Sequence, residues 1–231
     1  MITFYTGTPG SGKSYSMAYK IRLSLLRGKN VISTVDIDTN VISKNGRKKI
    51  GNFHFVPINE LTADYLYKYF SKHHPEPKES QTIVFIDECQ LIFNTRTWQA
   101  QGRMEWIEFF TRHRHLGFDI VLITQNDQMI DKQIRGVVEN EFKHTKLNNL
   151  FLLLPITLFY RREYWYGLKD KKPVSRQTIP FRKKIANIYN SLVMYHEFRE
   201  IYAENEPTSQ GNDAPCDSGA GGGVGLAGLQ G

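Results

Sequence analysis

Two kinds of hydrophobic pattern alternate along this chain, and each predicts a different element of secondary structure. Short runs rich in β-branched, aliphatic and aromatic residues are typical of buried strands, and they occupy residues 2–5, 30–35, 53–58, 82–86 and 119–124. Between them, apolar residues recur at helical spacing and predict helices over residues 14–27, 62–70, 104–115 and 132–139. Strands and helices in alternation predict an α/β fold in which helices flank a mainly parallel sheet.

The pattern changes after residue 156, where basic and aromatic residues alternate before a turn-like stretch at 167–173. It predicts a β-hairpin, at about residues 156–181, appended to the sheet near its C-terminal end. Residues 150–160 are also strand-like, because this apolar stretch is far shorter than the ~20 residues of a membrane helix and contains Pro155. A further helix is predicted over residues 183–200. Residues 206–231 are rich in Gly, Ser and Pro, which predicts a disordered tail or linker after a domain of residues 1–205.

Composition narrows the class of protein. With 231 residues, 40% of them hydrophobic, the chain is long enough for one α/β domain with extensions. Its net charge of +7 permits an anionic partner such as nucleic acid or an acidic membrane surface. Cys89 lies in an apolar context and Cys216 in the polar tail, so we expect a reducing compartment and no disulfide framework. No secretory signal or membrane span is predicted, and any anchor would lie beyond residue 231.

The first strand leads directly into a complete Walker A phosphate-binding loop, the P-loop: Gly7, Thr8, Pro9, Gly10, Ser11, Gly12, Lys13 and Ser14. The glycines let backbone N–H groups turn inward on an anion at the N-terminus of the following helix. Lys13 supplies a charge for the β- and γ-phosphates, and the Ser14 hydroxyl is a suitable Mg²⁺ ligand. A Gly-rich turn with a solvated lysine would not need the flanking strand and helix. The motif therefore predicts binding of a nucleoside triphosphate with Mg²⁺.

Polar side chains end two further predicted strands. Asp87 and Glu88 follow the apolar run 83–86, where Asp87 can complete the Mg²⁺ shell and Glu88 can activate a water. Gln125 ends the run 120–124, where its amide can orient water or sense the γ-phosphate. The alternatives are a solvated strand end for the carboxylates and a loop role for the glutamine. Since parallel strands end at one edge of the sheet, the spacing favours a shared catalytic site.

Two basic segments leave alternatives open. Arg112 and Arg114 near a helix end are candidates for stabilising transition-state charge in a neighbouring subunit, but the helix dipole also favours arginine there. The hairpin region resembles a surface for single-stranded nucleic acid, a solvated strand face, or a surface near anionic lipid. Its basic residues are Arg161, Arg162, Lys169, Lys171, Lys172, Arg176, Arg182, Lys183 and Lys184.

Several of these segments together resemble one family, the zonular occludens toxin (Zot)-like assembly ATPases of filamentous bacteriophages. The resemblance covers roughly residues 1–200. Besides the P-loop, it rests on Ile86–Gln90, on the block Thr111–Asp119 with its His-Arg-His core, on Ile123–Gln125, and on the later segments Ile134–Arg135, Ile188–Ser191 and His196.

This resemblance implies a RecA-like P-loop NTPase, related to the FtsK/HerA motors, that couples ATP hydrolysis to extrusion of phage single-stranded DNA. By position, Lys13 and Ser14 would hold phosphate and Mg²⁺, Asp87 and Glu88 would form the Walker B pair, and Gln125 would be the sensor. It also implies a homo-oligomer such as a hexamer, at the cytoplasmic face of the host inner membrane, with phage coat and assembly proteins as partners. Family members usually continue into a transmembrane helix. This chain ends in a Gly-rich tail, so a missing C-terminal segment or a partner would anchor it.

Three other functions fit parts of the pattern. A DNA-packaging ATPase of another phage type would share the same sequence core. A small-molecule kinase also begins with a P-loop, but a water-activating Asp87–Glu88 pair and Gln125 argue against it. A scaffold that nucleotide merely stabilises would bind without turnover.

Overall fold

The computed structural model describes residues 1–76, 78–94, 102–147, 157–168 and 172–189. One compact unit spans Met1–Ser191, and a second unit, Leu192–Gly231, lies outside the described residues. The predicted tail, the C-terminal part of the predicted helix 183–200, and Lys169 and Lys171 also lie outside them.

The described strands are β1 (Ile2–Thr6), β2 (Asn30–Ser33), β3 (Phe53–Phe55), β4 (Thr82–Ile86), β5 (Phe118–Ile123), β6 (Asn140–Leu147), β7 (Leu158–Trp165) and β8 (Ser175–Pro180). The described α-helices are α1 (Lys13–Leu26), α2 (Thr39–Ser43), α3 (Ala63–His73), α4 (Gln90–Phe93), α5 (Arg103–Arg112), α6 (Lys132–Gly136) and α7 (Lys183–Ala186). A 3₁₀ turn over Asp127–Met129 precedes α6. Among these helices, none is long and apolar enough to cross a bilayer.

All described strands form one sheet in the order β3-β2-β4-β5-β1-β6-β7-β8. The strands from β3 to β6 are parallel, whereas β7 and β8 join as an antiparallel hairpin. The predicted α/β fold with a mainly parallel sheet and an appended hairpin is therefore confirmed. Because β5 lies between β4 and β1, the ends of these three strands meet at one edge of the sheet.

Apolar side chains on each face of the sheet bury a separate layer of helices. On one face, Phe4, Val84 and Leu122 pack with residues of α3 and α5, among them Phe109. On the other face, Tyr5 and the neighbouring strand residues pack against α1. Strands covered on both sides require continuous apolar sequence, which explains why β1, β4 and β5 were predictable. Full burial of each such side chain stabilises the fold by about 1.5–3 kcal/mol.

The sequence pattern did not predict β6, which is the strand beside β1 on the side of the hairpin. Most of its side chains are polar, and Phe142 is its main apolar contribution to the core. The apolar stretch expected to be a strand, residues 150–160, overlaps β7 only from Leu158, and residues 150–156 lie outside the described residues. Element ends also differ by a few residues; for example, α5 ends at Arg112 rather than at His115.

A close contact between two loops predicts that Gly51→Ala destabilises the fold. A Cβ added at Gly51 would overlap the carbonyl oxygen of Lys29, and Gly51 also donates its N–H to Leu25 O at 2.8 Å. Since neither backbone can move freely, we expect a loss of about 1–3 kcal/mol in the free energy of unfolding, measured by urea denaturation.

The matched control is Gly136→Ala. Gly136 is the last residue of α6, and an added Cβ would meet nothing within 4 Å. Alanine there should raise the free energy of unfolding by roughly 0.5–1 kcal/mol. Equal urea midpoints for Gly51→Ala and the unsubstituted chain would contradict the predicted contact.

Candidate functional site

The P-loop has the strand–loop–helix geometry that the sequence predicted. It leaves the end of β1 and enters α1 at Gly12, which has a left-handed φ of 96°. Inside the loop, Ser11 N–H donates to Thr8 O at 3.1 Å, and the first turn of the helix closes on Gly12 O. The N-terminus of the 14-residue α1 therefore faces the inside of the loop, where its dipole favours an anion.

The Lys13 side chain is folded onto the loop itself. Its Nζ donates to Gly7 O at 2.7 Å and to Thr8 O at 3.2 Å. Burial lowers the pKa of Lys13, while the nearby carboxylates of Glu88 and Asp87 oppose this shift. Phosphate oxygens would offer the ammonium charged acceptors in place of neutral carbonyls, and such charge-assisted bonds are stronger.

Asp87 follows the buried strand β4 and is fixed by its backbone. Its N–H donates to Thr34 Oγ1 at 2.8 Å, and its Oδ1 accepts the Glu88 N–H at 3.0 Å. Burial and then the charge of Glu88 raise the pKa of Asp87 to about 6, although Lys13 partly opposes them. Thr34 is a positioning residue that sequence reasoning missed, because only the sheet brings β2 beside β4.

The residues present fit a magnesium ion. Ser14 and Asp87 offer oxygen ligands, and Asp87 is a carboxylate whose charged form lacks compensation, as its raised pKa shows. Among the described residues, no group of three or more His, Cys, Asp or Glu side chains could hold a metal. Mg²⁺ would therefore depend on these two side chains, nucleotide phosphates and water, which is its usual mode of binding.

Glu88 has an unusual backbone conformation for a residue with a side chain. Its φ is 47°, in the left-handed region, at a cost of order 1–3 kcal/mol. The Gln90 side chain at the start of α4 donates Nε2–H to Glu88 Oε2. Gln90 thus restricts the carboxylate, and it is a second positioning residue that the sequence analysis did not identify.

An open cleft of about 690 Å³ lies beside the P-loop, between the loop, the end of β5 and strand β6. Gln125 is exposed and lines this cleft, as predicted for a strand-end amide. Lys13, Ser14, Asp87 and Glu88 are not among the residues that line this cleft. Strand β6 adds the buried Glu141, whose Oε1 accepts the Thr6 hydroxyl at 2.5 Å.

Arg112 and Arg114 do not lie beside the P-loop of their own chain. Arg112 ends α5 and Arg114 follows it, so both precede β5 and lie at the edge of the sheet where the strands begin. Arg112 pairs with Glu108 at 2.9 Å, and Arg114 pairs with Glu139, which also accepts Ile2 N–H. The length of a five-residue strand, about 16 Å, separates this edge from the P-loop. A role for either arginine in a neighbouring subunit stays a prediction.

The segment after β8 returns to the site. Ile188 O accepts the Asp38 N–H at 2.8 Å, and this contact brings the segment to the loop after β2. Burial, then the charge of Asp87, raises the pKa of Tyr189. Residues 188–189 thus belong to the surroundings of Asp87, although the sequence pattern marked them only through the family resemblance.

The comparison with protein families agrees with this geometry. The family model described as "Zonular occludens toxin (Zot)" matches residues 1–195, which is most of the chain. The chain belongs to the Zot family. The matched residues include the P-loop, Asp87, Glu88 and Gln125.

Individual relatives of this Zot-family chain are distant. It is 28% identical over 161 residues to the Gene 1 protein of Enterobacteria phage f1, covering 68% of this chain and 46% of that protein. It is 24% identical to the zona occludens toxin of Vibrio cholerae, covering 82% of this chain and 51% of that protein. The chain thus spans about half the length of these relatives.

Among solved structures, one ATPase domain has a TM-score of 0.50 at 11% identity, covering 82% of this chain and 84% of that domain. Together with the strand–loop–helix geometry of the P-loop, this likeness shows that the Zot-family chain has the fold of the P-loop NTPases.

The raised pKa of Asp87 predicts that Asp87→Asn stabilises the protein at neutral and alkaline pH. The pKa is about 6 in the folded chain against 3.8 for the free side chain, so the cost of ionising Asp87 on folding grows between these two pH values and is complete above pH 6. We expect a gain of about 3 kcal/mol in the free energy of unfolding at pH 8, which becomes small near pH 4. Urea denaturation across this pH range measures it.

Asp36→Asn is the control. Asp36 is exposed, and its Oδ1 accepts the N–H of the next residue, as Asp87 Oδ1 does. It should leave stability nearly constant across the same pH range. A lower free energy of unfolding for Asp87→Asn than for the unsubstituted chain at pH 8 would show that the ionised carboxylate does not destabilise the fold.

The Gln90–Glu88 hydrogen bond predicts a selective effect on ATP turnover. Gln90→Ala frees the Glu88 carboxylate to rotate, so we expect kcat to fall about tenfold while KM for ATP changes little. Gln133→Ala, which removes an exposed glutamine bonded to Arg103, should change neither constant. An unchanged kcat for Gln90→Ala would exclude a positioning role.

Proposed function

We propose that this chain is the ATP-hydrolysing motor of filamentous phage assembly, coupling ATP hydrolysis to movement of single-stranded phage DNA and extrusion of the virion. One observation carries the proposal. The P-loop, the Asp87–Glu88 pair and Gln125 meet at one edge of the sheet because β5 lies between β4 and β1. A site with a phosphate loop, a metal carboxylate, a second carboxylate and an amide suits hydrolysis of a nucleoside triphosphate.

Binding would use groups that are already in place. The loop N–H groups and α1 would hold the phosphates, and Lys13 would exchange Gly7 O and Thr8 O for phosphate oxygens. Ser14 and Asp87 would hold Mg²⁺, which supplies charge stabilisation to the phosphate oxygens. Because the pKa of Asp87 is about 6, this carboxylate is mostly ionised at neutral pH and ready to bind the cation.

Hydrolysis would depend on two strand-end side chains. Glu88 would accept a proton from the attacking water, with its carboxylate restricted by Gln90. Gln125, exposed at the cleft beside the P-loop, would orient that water or bind the γ-phosphate. A kinase would instead need water excluded from the γ-phosphate, so this pair favours hydrolysis over transfer to a small molecule.

Assembly into a homo-oligomer such as a hexamer belongs to the same proposal. Arg112 and Arg114 are largely exposed, with side chains 63% and 55% accessible, and exposed ion pairs of this kind hold weakly. Either arginine could therefore be released to a neighbour's γ-phosphate. Phage coat and assembly proteins, and anchoring at the cytoplasmic face of the host inner membrane by a further segment or a partner, follow from the family resemblance.

Two substitutions test the proposal, one in nucleotide binding and one in hydrolysis. Lys13→Ala should abolish ATP binding, because it removes the ammonium group that would donate to the phosphate oxygens. Glu88→Gln should retain binding but lower turnover at least 100-fold, because the amide cannot accept the water proton. Phosphate release with Mg²⁺, and binding of a fluorescent nucleotide, separate the two effects.

Arg27→Ala is a control of similar size change at the exposed end of α1 and should alter neither measurement. Full turnover by Glu88→Gln would refute the assigned mechanism. Transfer of phosphate to a nucleotide acceptor in place of water would favour the kinase. Stimulation by duplex rather than single-stranded DNA would favour a packaging ATPase of another phage type.

A further inference from the structure

Strands β6, β7 and β8 share a sheet face that is rich in cations and aromatic rings. Directly paired residues point to the same side of a sheet, so Lys143, Arg162 and Arg176 form one row across the three strands. Tyr160 and Tyr164 flank Arg162 at alternate positions on β7 and therefore point the same way. We call these five residues the basic–aromatic face.

The opposite face of the same strands belongs to the core. Phe142, Phe159 and Ile179 are buried there with residues of α1. Arg161 also points to that side, where it donates to Gln177 and lies 5.0 Å from the ring centre of Phe142. The hairpin's basic residues are thus divided between two faces, and Arg161 has a structural role.

The basic–aromatic face is not needed to cover the core. Its residues are half-buried or exposed, and at the end near Tyr164 residues of α6 line a cleft together with Lys143 and Tyr164. Arg162 and Arg176 form no ion pair with any described residue, and Arg162 Nε is enclosed without a hydrogen-bond acceptor among them. The described residues thus supply no anionic partner for Arg162 or Arg176, so both guanidinium groups can bind an anion from outside the chain.

Cations and rings are interleaved on this face at short range. Lys143 Nζ lies 5.6 Å from the ring centre of Tyr164, and the Arg162 guanidinium lies 5.9 Å from that of Tyr160. Aromatic rings that stack on bases, beside cations that meet phosphates, are how proteins hold single-stranded nucleic acid without sequence preference. Duplex DNA keeps its bases stacked inside the helix and offers these rings nothing to stack on.

We propose that the basic–aromatic face is the site where this protein binds single-stranded nucleic acid, with bases on Tyr160 and Tyr164 and phosphates on Lys143, Arg162 and Arg176. This inference rests on the proposed motor function, because it assigns that motor's polymer to a place on the fold. Strands β6 and β7 also contact the P-loop directly, so the proposed polymer site adjoins the nucleotide site.

Two contacts join strands β6 and β7 to the P-loop, and a third joins β6 to the end of β1. A Cβ at Gly7 would lie 2.6 Å from His144 O on β6, and one at Gly12 would overlap the Phe159 ring on β7. Glu141 on β6 accepts the Thr6 hydroxyl. Lys143 and Arg162 line the same cleft as P-loop residues. A polymer on this face would therefore lie beside the cleft at the P-loop, and we expect the affinity of each ligand to depend on the other.

Fluorescence anisotropy with a labelled oligothymidylate tests the stacking. Tyr160→Leu with Tyr164→Leu should weaken binding by the full chain at least about fivefold, whereas Tyr160→Phe with Tyr164→Phe, which keeps both rings, should bind within about twofold of the unsubstituted chain. Equal affinity of the Leu and Phe variants would overturn the proposal, as would equal affinity of the unsubstituted chain for the oligothymidylate and a duplex of the same length.

The phosphate contacts are tested by salt dependence. Arg162→Ala with Arg176→Ala should reduce the slope of log affinity against log salt by about 1.4, since each phosphate contact to a single strand contributes about 0.7. Lys183→Ala with Lys184→Ala removes the same charge from exposed positions on α7 and should leave the slope unchanged. An equal reduction of the slope in the arginine pair and the lysine pair would overturn the proposal. Arginine substitutions that weaken binding to vesicles of anionic lipid, but not to the oligothymidylate, would overturn it as well.

ATP turnover without DNA separates this inference from the proposed function. Arg176→Ala and Tyr160→Leu should hydrolyse ATP at the unsubstituted rate in the absence of oligonucleotide. If the unsubstituted chain hydrolyses ATP but binds no oligothymidylate, the binding site is refuted and the ATPase stands. If it binds the oligothymidylate through this face but hydrolyses nothing, the motor is refuted and the binding site stands.

Discussion

The position of β5 between β4 and β1 is the constraint on which the whole site depends. Parallel backbone hydrogen bonds align Ile86 with Leu122 and Tyr5 with Ile123, so all three strands end together. Each strand is apolar on both faces, and burial of both faces fixes it in the middle of the sheet. The polar side chains of the site, Asp87, Glu88 and Gln125, follow these buried strands. The packing that stabilises the fold therefore also concentrates the site's charged groups at one edge.

That concentration places the site in an unfavourable electrostatic state. Burial and then the charge of Glu88 make ionisation of Asp87 costly, and the Asp87 pKa of about 6 records the cost. Lys13 is close enough to offset part of it, yet its ammonium is hydrogen-bonded to neutral carbonyls of the loop. Magnesium would compensate the carboxylates and phosphate would compensate the lysine. Nucleotide binding can thus draw on energy stored in the folded site.

The sequence predicted those parts of the site whose geometry is local or follows from parallel strands. The P-loop is one continuous motif, and Asp87 and Gln125 each follow a strand that must be buried. Thr34 and Gln90 escaped prediction because a hydroxyl or amide acquires a role only from the neighbour that the fold gives it. Arg112 and Arg114 were grouped with the site by residue type, although a helix that precedes β5 must end at the opposite edge of the sheet.

Strand β6 escaped prediction for a reason that bears on function. Only one of its faces is buried by apolar packing, through Phe142; on the other face Glu141 is buried, and the next positions, Lys143 and Thr145, are half-buried and polar. Stability does not require tyrosines on the outer face of such a ladder, since antiparallel strands tolerate a solvated face. Tyr160 and Tyr164 nevertheless stand there beside Arg162, which has no anionic partner among the described residues. Residues that neither cover the core nor neutralise a charge within the chain are best explained by a ligand outside it.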